Sequence, residues 1–335
     1  MKLRILTESD CRGLLGMREA IGVQAEAFQF LAAGRAVEGL RAVASSDDPP
    51  GVAIFNPCFL RGAAGYGIKV VSDFYGNAAR GLPRMTAIIS LFDGETGAPR
   101  TLMEGGYVTD LRTGAGTALA ARYLARPRSA SLALLGAGRV ARNQIEGLAA
   151  CFSLDSIRIF GRTPSRAQAL VAELRRHPEL EKARISAVES AEAAVRDADI
   201  VVAATTSSEP VLRGEWLEPG AFVAAVGAYA ATSRELDDST IRRAARHVID
   251  SRSDCLDRAG DFVIPIRAGL LQREAVAEIA EVISGARPGR TSAEEIIVYK
   301  SSGVPIQDLV TAQHIERRAT EQGLGRVIDL GGDHD

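Results

Sequence analysis

The chain has 335 residues, 46% of them hydrophobic and 24% charged, with a formal net charge of −2. That length suits two domains of ordinary globular type, and near-neutrality removes the electrostatic reason to expect nucleic acid or an anionic membrane surface as partner. Cys11, Cys58, Cys151 and Cys255 form no CxxC pair, and His177, His247, His314 and His334 have no metal-ligand spacing, so no disulfide framework, metal site or Ser-His-Asp triad is expected. Met1 to Leu6 runs straight into Thr7-Glu-Ser-Asp and no apolar run approaches the ~18 residues of a membrane span, so a cytoplasmic protein without leader or anchor is expected.

In chain order, Ser9 or Asp10 is placed to cap a first helix. A second, about Met17 to Ala33, carries Ile21, Ala25, Phe28 and Leu31 at helical spacing. Strand-like runs follow at Gly51–Phe59, Tyr66–Phe74, Met85–Phe92 and Arg100–Glu104, with Asp93-Gly-Glu-Thr-Gly97 as a hairpin turn between the last two. This half reads as an α+β sheet of antiparallel character. From about Asp110 the pattern changes. An alanine-rich helix, Leu111 to Ala125, precedes strands near Leu132–Leu135, Ile157–Phe160, Arg184–Val188, Ile200–Ala204, Phe222–Val226 and His247–Asp250, most of them separated by helical patterns. Such alternation predicts a parallel, doubly wound sheet. A strand at Glu295–Lys300, a loop at Ser302-Gly303 and a helix from about Gln307 close the chain. The expected fold is thus α/β, with a Rossmann-type domain over 113–303 and a discontinuous α+β domain over 1–112 plus 304–330. The tail from Gly332 is expected to be disordered.

The most informative stretch is the apolar run Leu132 to Leu135 ending in Gly136-Ala137-Gly138-Arg139-Val140-Ala141, after which a helical pattern starts at once. An ordinary tight βα turn uses glycine too, but a flanking strand and helix favour a dinucleotide site. Gly136 permits the turn, Gly138 lets backbone approach a pyrophosphate, and the helix N-terminus offers unpaired N–H groups to the phosphates. The next strand ends Ile159-Phe160-Gly161-Arg162-Thr163-Pro164-Ser165-Arg166, with no acid to accept from a ribose 2′-OH. Arg162, Thr163 and Arg166 instead suit a 2′-phosphate, so NADP(H) is the preferred cofactor and NAD(H) the alternative. By the rule that ligands sit at the carboxyl ends of strands, Thr205, Thr206, Val226 and Gly227 are further candidates to line the cofactor, with Ala228 beside them.

Gly67-Ile-Lys69-Val-Val71, Gly81-Leu-Pro83, Asp110-Leu-Arg112-Thr-Gly-Ala-Gly116, the glycine turn, Ala198-Asp-Ile-Val201, Val226-Gly-Ala228, Arg234-Glu-Leu236 and Tyr299-Lys-Ser-Ser-Gly303 with Gln307-Asp-Leu309 occur in order along almost the whole chain. In these the chain resembles the ornithine cyclodeaminase/mu-crystallin family. The resemblance implies a Rossmann domain binding NAD(P), an N-terminal domain that contacts substrate and dimerises, and hydride transfer at the α-carbon of an amino acid or its imine. It implies that Lys69 and Arg112 hold the substrate carboxylate near the reacting carbon, with Arg41 a further carboxylate ligand. It also implies that Ser301 and Ser302 close over cofactor and substrate. A bidentate guanidinium suits a planar carboxylate, and a lysine whose pKa is lowered by nearby cations suits proton transfer. Against the resemblance, a strand lysine more often faces solvent. Arg112, read as a helix start, would oppose the helix dipole, which argues for a functional role.

Two positions depart from the family's pattern. Tyr229, counted here among the candidate catalytic residues, stands where cyclodeaminases carry an aspartate, and a phenol of pKa ~10 is a poor base at neutral pH. Arg84 stands where relatives have a small residue. With Arg41, Lys69 and Arg112 it would make four cations, suiting a dicarboxylic imine. Asp308 reads as either an orienting group or a charge in a helix's first turn, the latter slightly favoured. The expected activity is NAD(P)H-dependent reduction of an α-imino acid, cyclic or linear, to the L-amino acid, by a homodimer. The alternatives are a cyclodeaminase holding NAD tightly, an amino acid dehydrogenase, and a non-catalytic NADPH-binding crystallin-like protein.

Overall fold

A computed structural model describes residues 1–62 and 65–331; the tail expected to be disordered lies outside them. The chain divides into two compact units, Met1–Arg112 with Pro305–Asp335, and Thr113–Val304.

The first unit is built on a sheet in the order Arg326–Asp329, Lys2–Leu6, Pro99–Glu104, Met85–Phe92, Gly65–Phe74, Pro50–Leu60 and Ala36–Glu38, with Ala42–Asp47 also paired to Pro50–Leu60. Every pairing is antiparallel except that of Lys2–Leu6 with Pro99–Glu104. Strand alternation assigns the faces. In Gly65–Phe74 the odd positions, Lys69 among them, are buried, while Tyr66, Ile68, Val70 and Phe74 are only partly covered. Helix Pro305–Glu321 packs on Met17–Ala32 and across strands Pro50–Leu60 and Gly65–Phe74. The other face is apolar and open: Phe59, Tyr66 and Phe92 stack in series, and Ile88 is 46% exposed.

Two helix starts differ from the expected ones. The first helix, Glu8–Leu14, is capped by Thr7 rather than Ser9 or Asp10, because Thr7 and Asp10 form a reciprocal capping box. The alanine-rich helix begins at Gly105, not Leu111. Glu104 supplies its cap, accepting from the N–H groups of Gly106 at 2.5 Å and Tyr107 at 2.8 Å. Arg112 therefore lies well inside the helix, where its charge does not face the N-terminal end of the dipole.

The second unit carries a fully parallel sheet in the order Arg184–Ala187, Ser156–Phe160, Ser131–Leu135, Ile200–Ala203, Phe222–Ala225, Ile297–Lys300, Arg246–Ile249 and Ala277–Glu278. The order runs outward in both directions from Ser131–Leu135, which creates a topological switch point beside Ile200–Ala203. Strands Ile200–Ala203, Phe222–Ala225 and Ile297–Lys300 are buried at every position, as parallel strands covered on both faces must be.

Candidate functional site

The glycine turn lies at that switch point. Gly136 has φ +110°, and a Cβ there would stand 2.4 Å from the Ala204 carbonyl oxygen, so no other residue fits. Gly138 is different: a Cβ there would meet nothing within 4 Å, so its backbone is open to a ligand. Helix Ala141–Ala149 follows with Val140 as N-cap and no side-chain cap, which leaves its first N–H groups open to an anion. A cavity of about 220 Å³ brings together Gly136, Ala137, Gly138, Arg162, Thr163, Arg166, Thr205 and Thr206, together with Ser207. Arg162 and Arg166 are exposed, and neither has a carboxylate partner among the described residues. The open glycine and the uncapped helix start fit a dinucleotide, and the free arginines add positive charge beside them.

The remaining cofactor candidates, Arg139, Val140, Val226, Gly227 and Ser301, are not among the residues lining this cavity. Arg139 and Val140 continue the turn, Arg139 exposed and Val140 half-buried. Val226 and Gly227 follow strand Phe222–Ala225, where Gly227 donates to the buried Glu235 carboxylate at 2.8 Å. Glu235 also accepts from Thr205 and Ala228. Burial raises its pKa, against the pull of Lys300. The Ser301 hydroxyl donates to buried Asp250 at 2.8 Å. Asp250 also accepts from the backbone of Ser302 at 2.8 Å and Gly303 at 2.6 Å, while Ser302 Oγ lies 3.4 Å from Cys255 Sγ. Asp250 thus holds the loop from which both serines come. Tyr229 is 51% exposed on the loop after Phe222–Ala225. Glu235 and Asp250 were both missed as site-organising groups. Glu235 lies in the Arg234-Glu-Leu236 motif, yet nothing in a sequence says which backbone groups an acid will accept from.

The first unit gathers the basic candidates. Lys69 Nζ lies 2.5 Å from Asp308 Oδ2, and Arg112 Nε lies 3.0 Å from Asp308 Oδ1. All three are buried. Arg112 Nη1 also donates to Gln307 Oε1 at 3.4 Å, and Gln307 Nε2 donates to Gln24 at 3.0 Å. Arg41 Nε donates to Asn56 Oδ1 at 2.8 Å, and Asn56 is the cross-strand partner of Lys69. Burial pushes the Lys69 ammonium down to about 8, with Arg112 and Arg41 acting the same way and Asp308 opposing them. Burial also pushes the Asp308 carboxyl up, but Arg112 and Lys69 outweigh it and hold the group below the usual carboxylate range.

Asp308 is therefore more than a first-turn charge, since one carboxylate orients two cations. Arg84 does not join them as a fourth. It makes a two-bond pair with Asp73, 2.6 and 2.9 Å, with half its side chain exposed. Two weakly hydrated donors and an amine that can gain or lose a proton near neutral pH can bind a carboxylate and move a proton beside it.

Comparison with known proteins gives a consistent picture. The family model of the ornithine cyclodeaminase/mu-crystallin family matches residues 1–323. Delta(1)-pyrroline-2-carboxylate reductase of Bacillus cereus is 32% identical over 329 residues, covering 97% of this chain and 99% of that protein. The same-named enzyme of Thermococcus litoralis, solved with NADH and L-proline, is 34% identical with a TM-score of 0.91, covering 96% of this chain and 99% of that one. An archaeal alanine dehydrogenase dimer with bound NAD is 32% identical, also with a TM-score of 0.91, covering 99% and 100%. By sequence and by fold, from its first residue almost to its last, the chain belongs to the ornithine cyclodeaminase/mu-crystallin family.

Proposed function

We propose that this protein reduces the C=N bond of an α-imino acid to the corresponding L-amino acid, with NADPH as preferred cofactor and a cyclic imine such as pyrroline-2-carboxylate as first candidate substrate. The observation that carries the reading is the buried Lys69–Asp308–Arg112 arrangement. Arg112, its Nε and Nη1 fixed by Asp308 and Gln307, presents a guanidinium for the substrate carboxylate, and Arg41 adds a second. Lys69, with a pKa of about 8, supplies the proton the imine nitrogen needs and can take it back in the reverse direction. Fixing the carboxylate beside the reacting carbon is itself a large part of such catalysis.

A nicotinamide dinucleotide, held by Gly136, Ala137, Gly138, Thr205 and Thr206, supplies a hydride when bound. Arg162, Thr163 and Arg166 favour the 2′-phosphorylated form. The relatives bound to NADH and NAD indicate the dinucleotide class. The relatives named as pyrroline-2-carboxylate reductases support the substrate class, and the dimeric alanine dehydrogenase supports a homodimer. Tyr229, half exposed where a cyclodeaminase has an acid, disfavours ammonia elimination.

The test is NADPH and NADH oxidation against cyclic imines, 2-oxo acids with ammonia or methylamine, and a dicarboxylic imine. The expected result is stoichiometric NADPH consumption with at least one cyclic imine. Ammonia released from ornithine without net cofactor change would overturn the reading. Lys69→Ala is expected to lower turnover about 10²–10⁴-fold, with NADPH affinity unchanged in a fluorescence titration.

A further inference from the structure

Behind the cofactor cavity of the second unit lies a closed ring of buried charged side chains. Glu235, Asp261 and Lys300 are 0%, 1% and 0% exposed. Glu235 Oε1 accepts from the Thr205 N–H at 2.6 Å and the Thr205 hydroxyl at 2.8 Å. Its Oε2 accepts from Gly227 at 2.8 Å and Ala228 at 3.1 Å. The Ala228 carbonyl accepts from Lys300, Lys300 Nζ lies 3.0 Å from Asp261 Oδ2, and Asp261 Oδ1 accepts from the backbone N–H of Glu235 at 2.7 Å. The circuit closes on the residue where it began.

A carboxylate has about four lone-pair sites, and here all four serve two loops. Those loops end the neighbouring strands Ile200–Ala203 and Phe222–Ala225. The gap they share is filled: a Cβ on Gly227 would lie 2.1 Å from the Thr205 carbonyl oxygen and 2.6 Å from Glu235 Oε1. If packing were the only demand, an apolar residue would fill the place without the cost of a buried charge. A carboxylate is the one side chain that accepts on both ends. Glutamine would turn an N–H donor toward one pair of donors and repel that loop.

The sheet order gives the clamp its direction. Arg162 follows Ser156–Phe160, on one side of the glycine-turn strand, whereas Glu235 ties the ends of the two strands on the other side. Accepting the dinucleotide reading of the cavity, we propose that Glu235 is a positioning residue that sets the spacing of the Thr205 and Gly227–Ala228 loops and so governs affinity for the nicotinamide half of the cofactor. The adenosine half, held at the Arg162 end, is independent of it.

The experiment compares NADPH, titrated by fluorescence, with adenosine 2′,5′-bisphosphate, titrated by calorimetry, on the full-length protein. Glu235→Gln is expected to weaken NADPH binding about tenfold or more, the scale of one charge-assisted hydrogen bond, while the bisphosphate stays within about twofold. Amide exchange is expected to quicken at Thr205, Gly227 and Ala228. Should Glu235→Gln not fold, Thr205→Val removes one donor to the same carboxylate, and Thr205→Ser restores it. NADPH affinity is then expected to fall in the first and recover in the second. Equal weakening of both ligands, or unchanged NADPH affinity, overturns the proposal in either series. A wild-type protein that binds the bisphosphate and NADPH not at all overturns the cofactor reading itself, and the clamp with it.

Discussion

The Lys69 amine sits where burial and two arginines drive its proton off and one aspartate keeps it on. The balance leaves it near 8, so the acid form dominates at neutral pH and disappears above it. If that form donates to the imine nitrogen, kcat/KM falls as pH rises through about 8. Asp308→Asn removes the group that raises the Lys69 pKa, so the falling limb is expected to move to lower pH. The same change frees Arg112 from its Nε partner and is expected to raise KM. A pH–rate profile with an unmoved limb would remove Lys69 from the proton transfer.

Lys69 and Arg112 were legible as candidates through their motifs, and Arg41 through the family resemblance, although a strand lysine ordinarily faces water. Asp308 was visible only as an ambiguous helix charge. The difference is physical, because its meaning depends on two cations from elements about 200 and 240 residues earlier in the sequence.

At the scale of elements, long periodic segments were the easiest to read. Strand Met85–Phe92 has the bounds its alternation suggests, and the glycine turn joins strand and helix as its spacing requires. Short strands were missed: Lys2–Leu6, Ala36–Glu38, Ala42–Asp47 and Arg326–Asp329 are edge or near-edge pieces whose pairing comes from partners distant in sequence. A close helix crossing was equally hidden. A Cβ on Gly147 would lie 2.6 Å from the Gly114 carbonyl oxygen, and one on Gly114 would lie 2.1 Å from that of Asn143. These glycines serve approach rather than turning. Gly147→Ala is therefore expected to cost about 1–3 kcal/mol as overpacking, read as a lower urea midpoint with kcat of the folded enzyme kept.

At the scale of the whole molecule, one unit collects the basic residues and the other the glycine turn. The open sheet face of the first unit bears Phe59, Tyr66, Ile68, Val70, Ile88 and Phe92, a contiguous apolar surface of the kind that marks an association site. If a homodimer forms through it, Ile88→Lys yields a monomer in sedimentation or light scattering. An exposed position such as this otherwise changes stability by no more than about 0.5 kcal/mol. A dimer of undiminished affinity would assign the interface elsewhere.

The first unit is assembled from both ends of the chain, and this orders events during synthesis. Every residue lining the glycine-turn cavity lies between Leu135 and Val211, and the strand bearing Lys69 is made earlier still. Asp308 comes afterwards, on helix Pro305–Glu321, and Arg326–Asp329 then completes the sheet against Lys2–Leu6. Until that helix emerges from the ribosome, Lys69 and Arg112 have no common counter-ion. A polypeptide released before that point would have all the residues of the glycine-turn cavity and would lack the one carboxylate that pairs with both Lys69 and Arg112.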